Sequence, residues 1–269
     1  MPTRSTFAAL LALALGFAVA SPAHAQKKNP DGSPVLILSG GQREHHGYRD
    51  QAFYLARLLE DTGRFRATIV EDAAFLESPA LAKYDLVIAM SDRRDPEFKL
   101  TEAQQRALLD YVKSGHGYVS IHGADNAPAD WVPEMKDMLG GIYSHVGLPD
   151  GKAIMGTYTV KIADTAHPIA RGLGDFELKD ELYSNMQMKE DVKPLATIDY
   201  KGVTWPVAWT YEYGRGKVFH TSLGHRSFGP DKDDPLRNPN LSKLVVQGIR
   251  WVADEVASSR GDSAGRKSP

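Results

Sequence analysis

The chain contains no cysteine. That absence removes thiolate nucleophiles, cysteine-ligated zinc and disulfides together. It also lacks an excess of either charge, with 32 Lys and Arg against 34 Asp and Glu and a formal net charge of −2. Such a balance leaves no electrostatic footprint for nucleic acid or an anionic membrane. Nucleotide signatures are missing as well. Gly216-Lys217 has neither the upstream glycine nor the following Ser/Thr of a phosphate loop, and reads as part of a hairpin turn. No two histidines flank a glutamate at i, i+4, so there is no zinc-protease helix. Internal repeats are absent.

What is present begins with an export signal. Arg4 gives a positive start, Phe7 to Ala20 is an almost unbroken apolar run, and Ala23-His24-Ala25 carries small residues where a signal peptidase reads. The run, about 14 residues, falls short of the ~20 needed to span a bilayer. Residues 1–25 are therefore expected to leave, with cleavage before Gln26 and a periplasmic or secreted mature protein. That protein has no disulfide to staple it and must rely on its core, which a chain of this length can supply. Residues 26–34 read as a polar linker, 35–257 as one domain, and 258–269 as a disordered tail rich in Ser, Gly and charge. Arg260-Gly261-Asp262 in that tail is a chance tripeptide.

Strands and helices alternate through the first half. Val35 to Ser39 is a continuous apolar run suited to a strand buried on both faces, ended by Gly40-Gly41. Ala52, Leu55, Ala56 and Leu59 mark a helix closed by Gly63. Strands are predicted over 66–70, 84–90 and 117–121. Between the last two, Thr101-Glu102-Ala103-Gln104 has the form of a capping box that opens a helix to about Ser114. This alternation implies right-handed βαβ units and a mainly parallel sheet. The second half is richer in strand, at 154–163, 194–199, 207–211 and 217–222, before a last helix from about Leu241 to Ala257.

Ligands of such sheets bind beyond the carboxyl ends of the strands. Gly40 to His46, Ser91-Asp92 and His122 to Asp125 should therefore share one rim. His225 follows a late strand and His145 follows Gly140-Gly141-Ile142-Tyr143-Ser144. Imidazole titrates near neutrality and is a common metal ligand, so several rings on one rim can bind a divalent metal such as zinc or run acid–base chemistry. His122, held at a strand end before a glycine, and His225 are the leading candidates, with His45, His46 and His145 in support. His116, His167 and His220 read as surface or hydrogen-bonding residues. Asp92 and Asp125 on the rim suit ligands or helix caps. Asp180-Glu181 lies in a charged stretch whose plain reading is a solvated turn. Tyr143, Tyr183, Trp205 and Trp209 suit either stacking on sugar rings or the core.

Several segments together resemble the trehalose-utilisation (ThuA-like) family. They are Gly117-Tyr118-Val119-Ser120-Ile121-His122-Gly123, Leu139 to His145, His167 to Leu173 and Asp180-Glu181-Leu182-Tyr183. Pro206-Val207-Ala208-Trp209, Tyr213 to Val218, Leu223-Gly224-His225 and Gly248-Ile249-Arg250-Trp251 follow in the family's order. The resemblance implies a flavodoxin-like three-layer sandwich, similar to class I glutamine amidotransferases. In those enzymes the nucleophilic cysteine occupies the turn where this chain has His122, so no thioester can form and glutaminase chemistry is excluded. The resemblance further implies carbohydrate processing of the hydrolase or lyase type on trehalose-like or 3-keto glycosides. His122, His225 and Glu181 would then be acid–base groups, with His122 and His225 as candidate metal ligands. His45, His46, Asp92, Asp125, Tyr143 and His145 would face the sugar. A small-molecule carbohydrate is the expected partner, with a homo-oligomer compatible and no membrane contact after signal removal. The competing reading is a non-catalytic sugar-binding or partner protein on the same scaffold.

Overall fold

The computed structural model describes residues 32–41, 46–143, 153–184, 186–227 and 233–265. The expected signal segment, His45 and His145 lie outside these residues. Apolar runs form the first strands in chain order: β1 (Ser33–Gly41), β2 (Phe65–Val70), β3 (Leu86–Asp92) and β4 (Gly117–Ile121). Then come the short β5 (Gly141–Ile142), β6 (Ala153–Ile162), β7 (Phe176–Tyr183) and the short β8 (Gln187–Met188). β9 (Pro194–Tyr200), β10 (Val203–Tyr213) and β11 (Gly216–Thr221) complete the set. The helices are α1 (Tyr48–Asp61), α2 (Glu102–Lys113), α3 (Val132–Leu139) and α4 (Pro239–Gly265).

Nine strands make one sheet in the order β2-β1-β3-β4-β11-β10-β9-β6-β7. The first five are mutually parallel and follow the flavodoxin-like order. Beyond β11 every pairing is antiparallel. Seven strands consequently run one way and only β10 and β6 oppose them, so the expected flavodoxin-like sheet is present with an antiparallel extension. The carboxyl ends of β1, β3, β4, β11 and β7 all emerge on the same edge.

Two separate cores explain the layers. Val35, Ile37, Ile88, Val119 and Phe219 pack against α1 and α4, along with Val160, Leu178 and Leu182 of the extension. On the other face Leu36, Leu38, Val87, Tyr118 and Val218 pack against α2 and α3. Strict alternation along β1 sends odd residues to one core and even residues to the other, as period-2 geometry requires. The Thr101 capping box forms as its sequence suggests, with both reciprocal hydrogen bonds present.

The structure corrects several boundaries. β1 begins at Ser33, inside the segment read as linker. α4 continues to Gly265, into the segment expected to be a disordered tail. α3 has no counterpart among the expected elements; it starts at Val132-Pro133, where proline is well placed in a first helical turn. Asp180-Glu181 lies in strand β7 rather than in a solvated turn.

Gly41 shows how tightly the strand-end edge is built. It has φ +88°, and a Cβ there would stand 1.9 Å from the Asp92 carbonyl oxygen. Gly63 also has a positive φ, +67°, but no atom within 4 Å of such a Cβ. Gly63→Ala should therefore cost only backbone strain, about 1–2 kcal/mol. Gly41→Ala should cost more than that in a denaturant titration, since β1 and β3 must part to admit it. Equal losses would contradict the close approach.

Candidate functional site

His122 leaves β4 in the left-handed region, at φ +52°. A non-glycine residue there is strained by roughly 1–3 kcal/mol and persists only where its surroundings hold it. Two features do so. The next residue is Gly123, where a Cβ would lie 2.4 Å from the Tyr48 hydroxyl. The His122 ring is anchored as well, its Nδ1 lying 2.8 Å from the Ser222 carbonyl oxygen. A carbonyl can only accept, so Nδ1 carries the proton and Nε2 faces the rim.

His225 is placed by a buried acid. Asp180 is fully buried and its carboxylate accepts from the backbone N–H groups of Gly224 at 2.7 Å and His225 at 2.9 Å. It also accepts from the N–H of Glu181 at 2.8 Å. Burial pushes the Asp180 carboxyl up to about 6, with His122 and these three N–H groups pulling the other way. His225 then presents Nδ1 to His122 Nε2 at 3.0 Å, while its Nε2 lies 3.1 Å from Ser227 Oγ. The neighbouring Glu181 points from the opposite face of β7. Its Oε2 lies 3.1 Å from His225 Nδ1 and 3.5 Å from His122 Nε2. Tyr183, two residues on, brings its hydroxyl to 3.0 Å from the same Nε2.

Charge and aromatic packing reinforce the cluster. Burial opposes the His122 cation, but the hydrogen bond and charge of Glu181, with Asp180 behind it, hold the ring above its ordinary value. Burial likewise opposes ionisation of Glu181, and the two histidines outweigh it, so its carboxyl sits well below the usual range. Tyr143, Tyr183 and His122 form a column with ring centroids 4.0 and 4.8 Å apart. His46 stacks on Tyr48 at 4.7 Å and lies 5.3 and 4.9 Å from the His122 and His225 rings. Burial and the adjacent histidines keep His46 neutral by lowering its pKa to about 2.

The structure thus unites His46, His122, His225, Glu181 and Tyr183. The other expected residues stand back from this centre. Asp92 accepts from the Arg94 N–H at 3.2 Å and from Asn126 Nδ2 at 3.4 Å. Asp125 accepts from the Tyr143 N–H at 3.2 Å, and so holds the base of the aromatic column. Burial holds both carboxyls above their ordinary range. Trp209 cannot stack on a sugar, because it is fully buried and donates to the Leu139 carbonyl at 2.7 Å. His167 caps a short turn through the Ile169 N–H, and His116 bonds the Tyr111 carbonyl. His220 is no surface residue. It is fully buried on Trp209, 3.5 Å from Asp125, with burial lowering its pKa to about 3.

Sequence reasoning missed the role of Asp180 and the nearness of Tyr183 to His122. The signal was available in Phe176-Glu177-Leu178-Lys179-Asp180-Glu181-Leu182-Tyr183, which alternates apolar and polar residues except for an acid on the inward register.

A family profile described as trehalose utilisation, ThuA, matches residues 34–252. Among curated proteins nothing matches this chain. A putative ThuA-like protein from Parabacteroides merdae is 24% identical, with a TM-score of 0.68 over 82% of this chain and 90% of its own. A second, from Bacteroides uniformis, is 19% identical with a TM-score of 0.64, covering 87% of this chain and 95% of its own. A cold-adapted β-galactosidase from a Rahnella species shares the fold at 14% identity and a TM-score of 0.56. There 84% of this chain corresponds to 31% of the larger protein.

Asp180→Asn tests how the centre is assembled. The amide offers one acceptor oxygen and turns an NH2 toward a backbone donor, leaving a buried group unpaired at about 1–3 kcal/mol. Thermal unfolding should register that loss, and the imidazole NMR signals of His225 and His122 should shift together. A variant with native histidine signals would show that Asp180 does not position His225.

Proposed function

Because the chain belongs to the ThuA trehalose-utilisation family, we propose that it is a carbohydrate-processing enzyme of the hydrolase or lyase type, exported through its amino-terminal signal. The observation that carries the reading is the convergence of His122 Nε2, His225 Nδ1 and Glu181 Oε2 within 3.0–3.5 Å at the strand-end edge. An imidazole pair beside an ionised carboxylate can take up a proton and return it, which is the requirement of general acid–base catalysis.

A 3-keto glycoside is the substrate class that best uses this equipment. Its ketone acidifies the neighbouring C2–H bond. An imidazole of the cluster removes that proton, and the electron pair passes to the ketone oxygen as an enolate. Return of the pair expels the group at C1, breaking the glycosidic C–O bond and leaving a C1–C2 double bond. The departing oxygen takes the proton back from the imidazolium. Glu181 stabilises the imidazolium in between, and the Tyr183 hydroxyl lies within hydrogen-bond reach of His122 Nε2. Small-molecule sugar is the partner in this reading; Tyr143 and Tyr183, buried and stacked on each other and on His122, back the centre rather than meet the sugar.

Incubation with ordinary and 3-keto disaccharides tests the proposal. His122→Ala and His225→Ala should each lower turnover by about 10²–10⁴ while circular dichroism stays native. Sugar binding without turnover across the whole panel would overturn the enzyme reading in favour of a sugar-binding protein.

A further inference from the structure

The geometry points to a divalent transition-metal site held by His46, His122, His225 and Glu181. Four tetrahedral donors around zinc, each about 2.0–2.1 Å from the ion, stand about 3.3–3.4 Å apart. The three innermost donors already approach that spacing. His122 Nε2 and His225 Nδ1 are 3.0 Å apart, and Glu181 Oε2 lies 3.1 and 3.5 Å from them. A nitrogen of His46 completes a histidine triad whose ligand atoms all lie within 4.8 Å of one another.

His46 is the independent witness. It is 6% exposed, and neither ring nitrogen has a hydrogen-bond partner among the described residues. A buried imidazole with two unsatisfied nitrogens carries a cost, and a metal bond relieves it at the nitrogen that holds the lone pair. The outer contacts are also those that orient metal-binding imidazoles. His122 Nδ1–H donates to the Ser222 carbonyl, which leaves the Nε2 lone pair directed inward. His225 Nε2 meets Ser227 Oγ, which leaves Nδ1 free to face the same point. Two nitrogen lone pairs and a carboxylate oxygen thus converge. A shared proton can serve one pair of these atoms at a time and leaves His46 without a partner, whereas one cation serves all four. Three imidazoles and one carboxylate suit zinc, cobalt, nickel or ferrous iron, and disfavour calcium and magnesium, which prefer oxygen.

The site bears on the reaction proposed above, because an imidazole nitrogen bound to an ion cannot take up the C2 proton, and binding is measured without turnover. Full-length protein, stripped with a chelator, would be titrated with Zn(II) by calorimetry and with Co(II) by visible absorption. We expect one ion per chain and the intense visible bands of low-coordinate Co(II). His46→Ala, His225→Ala and the isosteric Glu181→Gln should each weaken binding roughly tenfold or more. His116→Ala, at the opposite edge of β4, should leave it unchanged. Failure to retain an ion, or affinity that survives both Glu181→Gln and His225→Ala, would overturn the site. Bound metal with no sugar turnover either before or after stripping would keep the site and overturn the reaction. Turnover undiminished by chelation, with no ion bound, would do the reverse.

Discussion

The contact on which the centre depends is the grip of the Asp180 carboxylate on the backbone of Gly224 and His225. β7 is the last strand of the sheet and stands four pairings away from β11. In a flat sheet those strands would be roughly 19 Å apart. The hydrogen bonds of 2.7 and 2.9 Å therefore require the antiparallel extension to curl back over the strand-end edge. Hydrogen bonds to a charged acceptor contribute about 1.5–3 kcal/mol each, which offsets part of the desolvation of a fully buried acid. The same curl carries Glu181 and Tyr183 to the histidines.

Once that closure is made, the remaining parts support one another. His122 tolerates a left-handed backbone because its ring is fastened at one nitrogen and packed on Tyr183. Tyr183 is backed by Tyr143, whose backbone N–H is held by Asp125. The strained turn after β4 presents a buried imidazole to the neighbouring rings and carboxylate.

Much of this was legible in the sequence, and what was not has a physical reason. β4 was placed to the residue and the capping box to its partner, because a double-sided apolar run and an N-terminal cap are local signals. The strand-end rim followed from βαβ alternation, which correctly put His46 and His122 together. β7 escaped because an aspartate on its inward register breaks the alternation that marks a half-buried strand. Its reason for being there is a pair of backbone donors 44 and 45 residues away, and no window along the chain contains them. His220 escaped for a similar reason. A histidine inside a strand has no local mark distinguishing a solvent-facing ring from one stacked on Trp209.

The contact between β4 and β11 has a consequence for how the molecule comes into being. The strands pair side by side, yet His122 and the Ser222 carbonyl that anchors it are 100 residues apart, with β5 to β10 spooled between them. Closing so long a loop costs chain entropy before any contact rewards it. During synthesis the first four strands and α1 to α3 can collapse while His122 still lacks its anchor. The centre is then assembled at the end of folding, and a chain stalled short of β11 would have a substantial core but no assembled histidine cluster.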